Sequence, residues 1–279
     1  MPVDQYLDRL TINTDLACRL LIDFIRQETT RVGFSRAVVG LSGGIDSALV
    51  AFLAAETLGP ENVLGIRMPY KSSSAESLEH AQLVIDALGI VHDTIEITPM
   101  VDPLLARFPD MSKGRAGNIM ARQRMIILFD QSVAFNGLVM GTSNKTESLL
   151  GYTTVFGDNA AALHPLGDLY KNQVRQLARA MGVPSVIIDK PPSADLWAGQ
   201  TDEGELGYTY DEADQLLFLL VDKRYSTEDA VAAGFSESFV DQVWKTMQRS
   251  QYKRRLPIIP KLSQRTIGYD FLYLRDWGT

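Results

Sequence analysis

Apolar residues return at helical spacing near the start of the chain, at Leu7, Leu10, Leu16, Leu20, Leu21 and Phe24, and predict one amphipathic helix over residues 1–30. From there the period alternates. The apolar run Ala37–Leu41 predicts a strand leading into a helix that ends at Leu58, and Val63–Met68 predicts a second strand, closed by Pro69. Ser72-Ser73-Ser74-Ala75-Glu76 has the composition of a capped helix start, with Leu78, Leu83, Val84 and Leu88 following on one face. His92–Ile97 predicts a third strand, Arg115–Phe135 a long helix and Leu138–Met140 a fourth strand. Helical patterns resume from Tyr170 to Met181, over Tyr210–Asp222 and over Ser236–Gln251. Residues 190–207 carry no regular period, and a stretch of that kind inside a compact chain marks a functional lid or a disordered segment.

Strands alternating with helices predict an α/β fold: a three-layer sandwich with a mostly parallel, Rossmann-like sheet and helices on both faces, joined by right-handed crossovers. With no internal repeat and no clear linker, one domain over residues 1–279 is the simpler organisation. In such sheets ligands bind beyond the carboxyl ends of the strands, where the strand order reverses. The segments after Val39 and after Met140 both lie at strand ends, so they are expected to face one site.

Composition narrows the partners. The 279 residues carry a formal charge of −7, which disfavours sequence-independent nucleic-acid binding. The single cysteine, Cys18, excludes an intramolecular disulfide and a Cys-rich metal cluster, and its apolar setting reads as a small buried hydrophobe. His80, His92 and His164 are far apart and show no ligand spacing. With no secretory signal and no apolar run approaching the roughly 18 residues of a membrane span, a cytoplasmic protein without membrane contact is expected.

The chemistry concentrates in Gly40-Leu41-Ser42-Gly43-Gly44-Ile45-Asp46-Ser47. A strand, small residues and then a helix place a tight turn at a helix N-terminus, where N–H groups and the helix dipole favour an anion. An ordinary Gly-rich βα turn has a similar composition; two glycines, two serines and Asp46 together favour phosphate, with the carboxylate able to hold magnesium. No lysine stands in the turn, so it is not a Walker loop. Glu147 is a second carboxylate suited to magnesium, although a glutamate at a helix start is also favourable with the dipole alone. Arg122, Arg124, Lys145, Lys171, Arg175 and Lys190 suit an anionic substrate if gathered around the turn; singly, each reads as a surface charge. Ser42 has no flanking histidine, and no nucleophile elbow is present.

These residues carry a resemblance. Ser42-Gly43-Gly44-Ile45-Asp46-Ser47 is similar to the pyrophosphatase loop of the N-type ATP pyrophosphatases. Further segments follow in the order seen in the NAD synthetases of that superfamily: Gly117 to Met125, Gly141 to Glu147, Gly157-Asp158, Pro165 to Lys171, Pro192 to Trp197, Glu205-Leu206-Gly207 and Tyr252-Lys253-Arg254-Arg255. The resemblance implies ATP-dependent amidation of deamido-NAD by ammonia, through an adenylated carboxylate, giving NAD, AMP and pyrophosphate. It implies that Gly40 to Ser47, Thr142, Lys171 and Ser193 contact ATP, and that Asp46 and Glu147 hold magnesium. It also implies that Arg122, Tyr252 and Lys253 contact deamido-NAD, that Asp46 and Asp195 act in catalysis, and that Asp195–Glu205 belongs to a lid. A homodimer with the dinucleotide near its interface is implied as well.

The chain departs from the family pattern at two positions. Val155 and Ala162 stand where some members carry Lys and Asp, both associated with deamido-NAD. Nothing in the chain corresponds to an amidase domain, so free ammonia, or ammonia from a separate amidase subunit, is expected. Two alternatives remain: another ATP pyrophosphatase of the superfamily, either an amidotransferase synthetase subunit or a tRNA-modifying enzyme, the latter disfavoured by the acidic charge and by Cys18 preceding the loop; and an inactive nucleotide-binding scaffold, disfavoured by Asp46 and Glu147 together.

Overall fold

The computed structural model describes residues 3–193, 195–197, 199–255 and 257–271. Ala194 and Ala198, inside the segment read as a lid, lie outside the described residues. The sheet has four parallel strands, β1 (Ala37–Gly40), β2 (Val63–Arg67), β3 (Val91–Thr94) and β4 (Leu138–Met140), in the order β3-β2-β1-β4. β1 pairs with β2 on one side and β4 on the other, so the order reverses between β1 and β4.

The two-residue period of a strand sends alternate side chains to opposite faces. Ala37 and Val39 join a core with α1 (Thr14–Arg31), α2 (Ile45–Leu58), α3 (Ala75–Leu88) and α7 (Lys171–Ala180). Val38, Leu64 and Ile66 face the other way, onto α4 (Thr98–Ala106) and α5 (Lys113–Phe135). Helices therefore cover both faces, as the alternation predicts. β3 is shorter than expected, but Ile95 and Ile97 continue its course through N–H bonds to the carbonyls of Arg67 and Pro69.

A third apolar cluster gathers α10 (Tyr210–Leu217), α11 (Thr227–Ala232) and α12 (Glu237–Ser250) around Leu216, Leu217, Leu219 and Val243. Leu150 of α6 (Lys145–Leu150) joins it, which sets these helices beside the end of β4. The helix expected over Tyr210–Asp222 widens to a π-turn from Phe218 onward.

The single helix expected over residues 1–30 is two elements. A 3₁₀ helix ends at Leu10, the N–H of Ile12 is taken by Gln176 Oε1 at 3.1 Å, and Asn13 caps α1 by accepting from the N–H of Leu16 at 2.9 Å. The expected stripe is also rotated. Ala17, Cys18, Leu21, Ile22 and Ile25 face the core, while Leu16, Leu20 and Phe24 are 47%, 60% and 39% exposed. Among the described residues no helix is long and apolar enough to cross a membrane.

Candidate functional site

The carboxyl ends of β1 and β4 open into a cleft of about 480 Å³. The turn after β1 forms one wall. Gly43 has φ +76°, and a Cβ built on it would come within 2.2 Å of the Ser77 carbonyl oxygen, so only glycine lets the turn lie against the start of α3. Ser42 Oγ and Ser47 Oγ lie 3.1 Å apart, and the N–H of Gly44 donates to Ser42 Oγ at 3.2 Å. Two hydroxyls and the N-terminus of α2 thus converge beside the cleft, the arrangement that favours a phosphate.

Asp46, in the first turn of α2, faces the loop after β4. Its Oδ1 accepts from the Asn144 side chain at 2.9 Å, and its Oδ2 pairs with Lys171 Nζ at 2.5 Å. The same ammonium lies 3.2 Å from Glu147 Oε1 and 5.0 Å from the centre of the Tyr210 ring. Glu147 is fixed locally: Asn144 and Glu147 form a reciprocal capping box at the start of α6. Burial pushes the Glu147 carboxyl well above the usual carboxylate range, with Lys171 opposing. Burial also disfavours the Lys171 ammonium, but Asp46 and Glu147 outweigh it and hold the amine protonated beyond the ordinary lysine range.

Two carboxylates within reach of one cation also fit magnesium, which takes one or two carboxylates together with phosphate oxygens and water. Among the described residues there is no cluster of three or more His, Cys, Asp or Glu side chains able to hold a metal alone. The donor set suits an ion shared with a phosphate ligand.

Described residues of the 190–207 segment, Lys190 to Ser193, Asp195 to Trp197, Gln200, Asp202 and Glu205, line the cleft. Asp195, at φ +49°, accepts from the N–H of Ser74 at 3.1 Å, and Ser72 Oγ donates to the Leu196 carbonyl at 3.3 Å. Ser193 Oγ donates to the Gln200 carbonyl at 2.7 Å, and Tyr152 donates to Glu205 at 2.6 Å. Leu196 and Trp197 pack against Gly117, where a Cβ would meet Leu196 at 2.8 Å. The segment read as irregular contains a short helix, α9 (Asp202–Leu206), which brings Asp202 and Glu205 to the cleft.

The structure gathers most of the predicted site residues. Gly40, Leu41, Ser42, Gly44, Ile45, Asp46, Ser47, Thr142, Glu147, Lys171, Ser193, Asp195 and Lys253 line the cleft, and Gly43 completes the turn. Lys253 donates to the carbonyls of Gly151 and Thr153, both at 2.7 Å. Besides Gly43, two residues lie outside the cleft lining. Arg122 is exposed on α5 and donates to the Val155 carbonyl at 3.2 Å, and Tyr252, 65% exposed, lines a shallower neighbouring hollow. Of the cations expected around the turn, Arg124 and Lys190 line the cleft. Lys145 turns away to Asp168 and Asp222, and Arg175 pairs with Asp211. Asn144, Asp202 and Glu205 complete the site without having been singled out as chemistry. The Asn-x-x-Glu spacing of a capping box was the signal available for Asn144.

Residues 17–257 match the family model for NAD synthase. The chain belongs to the NAD synthase family. It is 57% identical over 272 residues to the NH(3)-dependent NAD(+) synthetase of Trichlorobacter lovleyi, covering 98% of this chain and 100% of that protein. It is 52% identical over 276 residues to the enzyme of the same description from Chlorobaculum parvum, covering 99% and 98%. Among solved structures it is similar to the NMN synthetase from Francisella tularensis, with TM-score 0.80 and 34% identity over 90% of this chain and all of that one. The NH3-dependent NAD synthetase from Campylobacter jejuni follows with TM-score 0.77 and 31% identity, at the same coverage. The family's α/β fold is the one described above.

Proposed function

We propose that the chain is an ammonia-dependent NAD synthetase. It joins ammonia to the carboxylate of deamido-NAD, with ATP converted to AMP and pyrophosphate through an acyl-adenylate. The observation that carries this reading is the meeting of Asp46, Lys171 and Glu147 beside the Ser42–Ser47 turn, at the switch point of a parallel sheet.

The residues divide the work. The turn and the N-terminus of α2 bind the phosphates, and Lys171 stands where charge develops as the bond between the α- and β-phosphates breaks. Asp46 and Glu147 would hold magnesium, which supplies charge neutralisation on the phosphates when bound. Thr142 and Ser193 contact ATP from the β4 loop and the lid. Arg122, Tyr252 and Lys253 contact the acceptor dinucleotide. The lid, pinned through Asp195 and Glu205, keeps water from the hydrolysable intermediate. No covalent enzyme intermediate is needed.

The protein acts as a homodimer with the acceptor at the interface. In support, Arg122 shares one face of α5 with Ile126, Phe129 and Val133, which are 54%, 40% and 81% exposed. Ammonia enters free or from a separate amidase. The test is an assay with ATP, magnesium, deamido-NAD and either ammonium or glutamine, following NAD and AMP. AMP release that requires both deamido-NAD and ammonium is expected; none would remove the reading.

A second acceptor is favoured by the NMN synthetase likeness together with Val155 and Ala162. On that reading the mononucleotide analogue of deamido-NAD is amidated in its place. Comparing kcat/KM for the two acceptors decides between them.

A further inference from the structure

Lys171 opens α7, so the position of its ammonium depends on how that helix starts. The N-cap position is Tyr170, whose phenol donates to Asp222 and leaves the first N–H groups of the helix to other acceptors. Those acceptors come from two other helices. The N–H of Lys171 donates to Thr146 Oγ1 at 3.0 Å, and the N–H of Asn172 donates to Asp214 Oδ2 at 2.7 Å. The Thr146 hydroxyl in turn donates to Asp214 Oδ1 at 2.5 Å. Thr146 and Asp214 are both fully buried, and Asp214 is not among the residues lining the cleft.

Thr146 directly precedes Glu147 on α6. One carboxylate on α10 therefore ties the first turn of α7 to α6 beside a site carboxylate, and the two ends of that tie are Lys171 and Glu147, 3.2 Å apart. Arg175, one turn further along α7, pairs with Asp211, so Asp214 answers to the helix N–H and the hydroxyl. The negative charge sits at a helix N-terminus, where the dipole favours it.

We propose that Asp214 is a positioning residue for the reaction. Acting through Thr146 and the first turn of α7, it holds Lys171 against Asp46 and Glu147. This rests on the reading of Lys171 as a phosphate contact. An asparagine cannot take over the role. Its single oxygen can serve the Asn172 N–H or the Thr146 hydroxyl, and an NH₂ group turned toward the threonine would leave the hydroxyl hydrogen without its acceptor.

The experiment compares wild type, Asp214→Asn, Thr146→Val, Thr146→Ser and the Asp214→Asn/Thr146→Val double variant, each checked for native circular dichroism. Amidation kinetics and Mg-ATP affinity by calorimetry are measured on all of them. Asp214→Asn and Thr146→Val each lower kcat about 10- to 100-fold, the cost of misplacing a group by about an ångström. The acceptor KM stays within about twofold. The double variant is no worse than either single one, because both remove the same tie. Thr146→Ser, which keeps the hydroxyl, stays within about threefold of wild type. An Asp214→Asn enzyme with kcat within twofold of wild type overturns the proposal. So do losses that multiply in the double variant, or a serine variant as poor as the valine one. ATP affinity separates this from the wider reading. A wild type that binds Mg-ATP but makes no NAD removes the synthetase function, while equal, non-multiplying losses of ATP affinity still support Asp214, and multiplying ones overturn it. A wild type that does not bind Mg-ATP overturns both.

Discussion

The two walls of the cleft are built differently. On the nucleotide wall Asp46, Asn144, Glu147 and Lys171 are bonded to one another, and Lys171 is 2% exposed. On the wall proposed for the acceptor, Lys253 donates to main-chain carbonyls; beyond the cleft lining, Arg122 donates through Nε to the Val155 carbonyl and Tyr252 faces solvent. One copy of the chain thus carries a preorganised charge cluster at the proposed phosphate site, centred on the buried Lys171 ammonium. The residues proposed for the acceptor are exposed or half-buried, and Arg122 stands beside an apolar face of α5. The walls should therefore respond to substitution in different ways.

The largest difference is expected for Asp46→Asn. It removes the nearer of the two carboxylate partners of Lys171 and lowers AMP release about a thousandfold, with far-ultraviolet circular dichroism unchanged. Near-normal turnover would take Asp46, and the ion it is proposed to hold, out of the mechanism. Gly43→Ala acts through the backbone. The positive φ and the clash with Ser77 cost about 1–3 kcal/mol in a urea titration and lower ATP affinity about 100-fold; an unaffected ATP affinity would show that the turn does not bind phosphate. On the acceptor wall, Arg122→Ala raises the acceptor KM about tenfold, the scale of one hydrogen bond to a charged group, and leaves the ATP KM within about twofold. A rise in the ATP KM instead would erase the contrast between the walls. Tyr152→Phe has the smallest effect. It removes the lid contact to Glu205 and reduces kcat/KM about two- to fivefold, measured beside the uncoupled hydrolysis of ATP, which rises as the lid loosens.

Legibility followed the range of the interactions. The Ser42–Ser47 turn could be read directly because strand, glycines, hydroxyls and carboxylate all stand within residues 37–47, and the backbone conformation at Gly43 is encoded at Gly43 itself. The strand-helix alternation was equally local. The first helix shows the limit. Two adjacent stripes on α1 are both apolar; periodicity alone puts Leu16, Leu20, Leu21 and Phe24 together, and of these only Leu21 faces the core, beside Ala17, Ile22 and Ile25. Which stripe meets the core depends on what packs there. In residues 190–207 the irregular stretch was visible as an absence of period, but α9 within it was not, because five residues are too few to show one.

From the order of residues alone came the four strands, most of the longer helices, the parallel arrangement, the turn proposed to bind phosphate and, by resemblance, the family. Those follow from side-chain period, backbone freedom and short motifs, all of which act between near neighbours. The partner of Asp46 was settled only in three dimensions, because Lys171 lies 125 positions away and reaches it through the strand order β2-β1-β4. The same holds for the turning of Lys145 toward Asp222, for the outward face of Arg122, and for Asp214 beneath Lys171. Each is a contact between elements far apart in sequence, set by how layers pack and by the need of every buried polar group for a partner.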